Sequence, residues 1–200
     1  TYVEFIPDAS VFKNYHFIPQ YIENMVWNYC YLNAQLALNF NKKKYISQNG
    51  LLDLLLRKTD EASLRYNIIH LKGADIEVAI THGNQYGEEY YSFVNGQNTT
   101  QGGTHLSAFK EAIVKTIRDH YNKDYAPEDI RQSVIGAVSV RIQEPVFESQ
   151  TKTKLGSTNI SLEDNATTVR TFVNDFLKEK LDNFLHMNPD VKDALKKRIE

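Results

Sequence analysis

Between Asp75 and Ile142 the apolar residues change their period twice, and few folds accommodate that switch. Ile76, Val78 and Ile80 alternate with Asp75, Glu77, Ala79 and Thr81, the repeat of a pleated strand. Tyr90 to Val94 is rich in aromatic and β-branched residues that suit a sheet. After Gly102-Gly103-Thr104, the spacing of Leu106, Phe109, Ile113 and Ile117 is helical. Val134, Gly136, Val138, Val140 and Ile142 then return to a period of two. Strands, a helix and another strand in that order predict an α+β chain with helices stacked on one sheet.

The flanks add elements to this centre. Thr1 to Ile6 reads as a strand ending at Pro7-Asp8, and a helix is expected after Pro19, carrying Ile22, Met25, Val26, Tyr29 and Leu32 on one face. Leu36, Leu38 and Phe40 alternate as a half-buried strand, Lys42-Lys43-Lys44 forms a hairpin tip, and Gly50 to Arg57 is a short helix. His82 to Glu88 has turn chemistry. From Thr168 the pattern is helical again through Val169, Phe172, Val173, Phe176, Leu177, Phe184 and Leu185. Asn188-Pro189 opens a last, lysine-rich helix. The polar stretch Ser157 to Thr167 is expected to be a loop.

Composition narrows the function. The net charge of −2 lacks the basic excess of a dedicated high-affinity DNA binder. The single cysteine, Cys30, excludes a disulfide framework and fits a reducing cytoplasm; beside Trp27 and Tyr29 it reads as a small buried hydrophobe. No apolar run reaches the ~20 residues of a membrane span. The six histidines show no paired metal-ligand spacing. The chain opens at Thr1 without methionine, which we read as a boundary inside a longer protein.

Gln150, Lys152 and Lys154 occupy alternate positions of a polar loop, so in an extended backbone they share one side. An amide beside an ammonium is a good phosphate contact, one giving direction and the other charge. Taken alone, the Gln-Thr-Lys triplet is better explained as a solvated polar loop. Gly102-Gly103-Thr104-His105 has two readings as well. It is either an anion contact at a helix N-terminus or a structural entry, with Thr104 as cap and His105 anchoring the turn.

The run Gln150-Thr-Lys-Thr-Lys-Leu-Gly156 resembles the signature loop of the transducer domain of DNA gyrase and topoisomerase IV B subunits, bacterial type II topoisomerases. Glu128-Asp-Ile-Arg131, Pro145-x-Phe-Glu148, Gly102-Gly-Thr-His105, Phe5-x-Pro7-Asp8 and Phe12 resemble the same family in order and spacing. Tyr31-Leu32-Asn33 stands where the family has Phe-Leu-Asn. The resemblance implies a two-layer α/β sandwich with a left-handed βαβ crossover, like the second domain of ribosomal protein S five, plus C-terminal helices. It implies a transducer over residues 1–186 and, over 187–200, a helix leading toward a DNA-cleavage domain.

It also implies a division of labour. ATP and magnesium belong mainly to a preceding ATPase domain, whose γ-phosphate Gln150 and Lys152 contact, with Thr151 and Lys154 as loop support. No catalytic residue and no metal ligand is assigned to this chain. The partners are the A subunit, double-stranded DNA and the chain's own N-terminal ATPase domain. The candidate DNA contacts are Lys42, Lys43, Lys44, Lys110, Lys115 and Arg118. Two other readings remain open: the middle domain of a related mismatch-repair or chaperone ATPase, and an RNA- or ribosome-binding module of the same fold.

Overall fold

The computed structural model describes every residue from Thr1 to Glu200. Its centre is a five-stranded mixed sheet of β3 (Ile69–Lys72), β4 (Ile76–His82), β5 (Glu89–Val94), β6 (Gln97–Asn98) and β7 (Val134–Val140). The spatial order is β3-β4-β7-β5-β6. The last strand in sequence therefore lies in the middle. It pairs antiparallel to β4, with Ile76 opposite Val140 and His82 opposite Val134, and parallel to β5.

The parallel pair needs a crossover, and the helix α3 (Thr104–Tyr121) with the short α4 (Pro127–Arg131) supplies it. Gly136 makes the fit of α3 on β7 possible. A Cβ there would lie 2.9 Å from the Phe109 ring and 3.1 Å from that of Tyr90, closer than packed side chains tolerate.

Two further helices, α5 (Val169–Met187) and α6 (Pro189–Ile199), complete the main core. Val169, Val173, Leu177, Leu181 and Leu185 recur every fourth residue of α5, and all five are buried. They meet Phe109, Ile113 and Ile117 of α3 and Val78, Val138 and Val140 of the sheet in one cluster. Each fully buried aliphatic side chain contributes roughly 1.5–3 kcal/mol. Thr168 caps α5 by accepting from the Thr171 N–H at 3.0 Å. Val191, Leu195 and Ile199 of α6 join the same core.

The expected two layers become three over the central strands. Helices α1 (Pro19–Leu32) and α2 (Leu51–Lys58) lie on the other face. Tyr31, Leu51, Leu54 and Leu55 pack there against Ala79, Phe93, Ile135 and Ala137. The strands are thus apolar on both faces, which the alternation around Val134 to Ile142 concealed. On α1 Cys30 and Tyr31 are buried and Trp27 is half-buried beside them, while Met25 and Tyr29 are exposed.

The strands β1 (Ala37–Phe40) and β2 (Lys43–Ile46) form a separate hairpin. Its tip is Asn41-Lys42 alone, both at positive φ (48° and 64°), as a two-residue type I′ turn demands. Lys43 and Lys44 already belong to the returning strand.

The expected first strand is absent. Thr1 to Ile6 pairs with no other strand, and Tyr2, Val3, Phe5 and Ile6 are exposed. Alternation makes a strand possible, but a strand also requires an edge to pair with. The arm is ordered locally instead, by Asp8 accepting from the Ser10 N–H at 2.8 Å and by edge-to-face rings Phe5–Phe17 and Tyr15–Phe17. No helix is long and apolar enough to cross a membrane.

Candidate functional site

The loop after β7 is a narrow hairpin, not an extended run. The Val146 carbonyl accepts from the Gly156 N–H at 2.8 Å, and the Glu148 N–H donates to the Lys154 carbonyl at 3.0 Å. At the far end the Lys152 N–H donates to the Ser149 carbonyl at 3.0 Å, closing a β-turn around Gln150 and Thr151. This corrects the premise that alternate residues share one side, because the chain reverses between them. Gln150, Thr151 and Lys152 form the exposed tip, with Lys152 at φ 55°.

The base of the hairpin is fastened to the start of α3. The Leu155 N–H donates to the Gly102 carbonyl at 3.0 Å, the Thr104 N–H donates to the Leu155 carbonyl at 3.2 Å, and the Gln101 N–H donates to the Thr153 carbonyl at 2.9 Å. The Thr104 hydroxyl donates to the Ser157 carbonyl at 2.7 Å. Leu155 itself is buried in the main core. Gly103 leaves room for this contact. Its φ is 132°, and a Cβ would lie 2.4 Å from the Leu155 carbonyl oxygen.

Gly102-Gly103-Thr104 therefore does structural work, and the work is to hold the polar loop. Thr104 is the first helical residue and does not cap α3; its hydroxyl reaches Ser157. His105 anchors the turn as expected, with Nε2 3.0 Å from Thr99 Oγ1. Burial drives its pKa down to about 4. The clamp was half legible in sequence: the glycines signalled a structural helix entry, but nothing identified residues 153–157 as what packs against it.

The side chains of the tip differ in what they already hold. Lys154 pairs with Glu148 at 3.0 Å. The Thr151 hydroxyl lies 2.7 Å from that of Ser149 and bridges the turn. The Gln150 amide and the Lys152 ammonium are exposed and bind nothing within the chain. The hairpin thus presents two donors, suited to an anion, on a stem fixed by backbone bonds.

The basic candidates divide in the same way. Lys43 pairs with Glu23 at 3.2 Å, Lys110 with Glu88 at 3.5 Å, and Arg118 with Asp124 at 3.2 Å. Lys42, Lys44 and Lys115 are exposed without an ion-pair partner. The absence of paired ligand spacing among the histidines holds only along the chain. His120 of α3 meets Asp182 and His186 of α5 in space. The four-residue step from Asp182 to His186 was visible in the sequence, but their partner lies 62 residues before Asp182.

The fold is similar to part of a larger solved structure. It superposes on the 43K ATPase domain of gyrase B from Thermus thermophilus, solved in complex with an aminocoumarin, with a TM-score of 0.73 at 23% identity, covering 96% of this chain and 55% of that one. Residues 19–200 match the family model for DNA gyrase B. The chain belongs to the DNA gyrase B family, which includes the B subunits of topoisomerase IV. The B subunit of DNA topoisomerase 4 from Borreliella burgdorferi is 42% identical over 78% of this chain, and the DNA gyrase B subunit from Helicobacter pylori is 32% identical over 95% of it. The chain spans 26% of the length of each of those relatives.

Proposed function

We propose that this chain is the transducer domain of an ATP-dependent type II DNA topoisomerase B subunit, and that its hairpin tip reports the state of a nucleotide held by a preceding ATPase domain. One observation carries this reading. The hairpin has a base tied to the core by four hydrogen bonds, from Leu155, Thr104 and Gln101, and a tip whose Gln150 amide and Lys152 ammonium have no partner in the chain. Groups positioned so firmly, with nothing of their own to bind, fit a ligand brought by another domain.

The chemistry suits a terminal phosphate. Phosphoryl transfer needs donors and positive charge on the transferred group. An amide and an ammonium supply one directional donor and one full charge, and they lose that attraction when the phosphate leaves. The orientation of the two domains then follows the nucleotide. The tip provides no set of oxygen ligands for magnesium and no adenine pocket, so those fall to the preceding domain. The exposed Tyr2, Val3, Phe5 and Ile6 support the presence of a neighbouring domain, since each otherwise leaves an apolar side chain in water.

The remaining assignments rest on the family. The β5–α3–β7 crossover is left-handed in this reading, against the usual rule, and residues 187–200 lead toward a DNA-cleavage domain. The A subunit completes a cytoplasmic heterotetramer. Lys42, Lys44 and Lys115 are the stronger candidates for phosphate contacts to transported double-stranded DNA, because Lys43, Lys110 and Arg118 already hold carboxylates. Such contacts are independent of sequence and weaken with salt.

The test is Lys152→Ala in the full-length protein assembled with its partner. A charge-assisted phosphate contact contributes about 1.5–3 kcal/mol, so ATP-dependent supercoiling or decatenation falls about tenfold or more. Unchanged activity would refute the role given to the hairpin.

A further inference from the structure

The carboxylate of Asp182 sits between two imidazoles. Asp182 and His186 are one turn apart on α5 and project from the same face. His120 arrives from the last turn of α3. Its Nδ1 lies 2.6 Å from Asp182 Oδ1, and His186 Nε2 lies 3.4 Å from Asp182 Oδ2. One donor atom from each residue lies within 4.8 Å of the other two. The rings are 4.6 Å apart, tilted by 56°. The His120 side chain is fully buried, with Nδ1 facing the carboxylate, so the ring is held in place against Asp182.

We propose that His120, Asp182 and His186 bind a divalent transition metal of the zinc type, fastening the end of α3 to α5. Two imidazole nitrogens and a carboxylate oxygen are a common donor set for zinc, with the fourth position left to water. Bonds of ~2.0–2.1 Å in a tetrahedron separate the ligand atoms by ~3.4 Å. The His186–Asp182 contact of 3.4 Å already matches that value, and the His120–Asp182 contact of 2.6 Å must open to reach it. The remaining closure falls to His186, whose side chain is 62% exposed and has room to turn. Magnesium and calcium favour sets made only of oxygen, so two imidazoles select against them.

The triad is distant from the hairpin. Thr104, which fastens the hairpin, is the first residue of α3, and His120 is the next to last. At 1.5 Å per residue they are about 24 Å apart. A metal there braces the helix at the end opposite the hairpin. Metal binding and nucleotide sensing therefore stand or fall separately.

The experiment is titration of this chain with ZnCl2, followed by calorimetry and thermal melting. The expected result is one equivalent bound and a midpoint raised by about 5 °C or more at saturation. MgCl2 at the same concentration leaves the midpoint unchanged. His186→Ala, at an exposed position, melts like the parent without metal yet loses affinity for zinc by at least about tenfold, and Asp182→Asn loses as much. The proposal is overturned if the parent binds no zinc, if magnesium gives the same shift, or if either variant binds zinc as the parent does.

Discussion

Gly103 shows how far a single residue can control this molecule. It lies at φ 132°, where side chains are strained, and its Cα faces the Leu155 backbone. Gly103→Ala places a methyl group 2.4 Å from that carbonyl oxygen, so either the helix start or the hairpin stem must move. The expected cost is about 1–3 kcal/mol or more in urea unfolding, and a variant as stable as the parent would show that the contact is dispensable. Two buried histidines set a second residue-scale behaviour. His82 bonds Tyr66 and the Ile130 carbonyl, His105 bonds Thr99, and burial lowers both pKa values from 6.5 to about 4. Between those values the unfolded chain binds protons that the folded chain refuses, so stability is lost as the pH falls from 6.5 toward 4. At pH 5 the loss is about 2 kcal/mol per histidine. Urea midpoints at pH 7.5 and pH 5 measure it, and equal midpoints would contradict the buried neutral state.

Among the elements, α2 separates what the sequence disclosed from what it withheld. Its leucines on either side of Asp53, within Gly50 to Arg57, signalled a helix, and a helix forms. The run did not reveal that the helix covers the second face of the sheet. Ala79, Ile135 and Ala137 fall between the positions that alternate on one face, yet with Phe93 they are buried against α1 and α2. A period of two marks which residues share a face, and it is silent on whether both faces are covered. Leu54→Ala distinguishes the cases. At a buried position it costs about 2–5 kcal/mol, whereas on a solvated helix it would stay within about 0.5 kcal/mol. The same limit explains the hairpin. Its residue types suggested phosphate chemistry, but the turn at Gln150–Thr151 depends on Leu155 being held by Gly102 and Thr104, contacts spanning about fifty residues that no local pattern encodes.

For the molecule as a whole, the order of elements was largely readable and their assembly was not. The changes of period marked β4, β5, α3 and β7 in sequence. They gave no sign that β7 slots between β4 and β5, or that the arm before Pro19 finds no strand to join. Both are consequences of long-range pairing. The account of function rests at this same scale, on a rigid stem carrying two unpartnered donors toward a nucleotide that another domain brings. The most direct measurement is the structure of the full-length protein bound to a non-hydrolysable ATP analogue. The account predicts the Gln150 amide and the Lys152 ammonium at hydrogen-bonding distance, about 3 Å, from oxygens of the terminal phosphate. A tip that faces solvent in that complex, with both groups more than about 6 Å from the nucleotide, would contradict it.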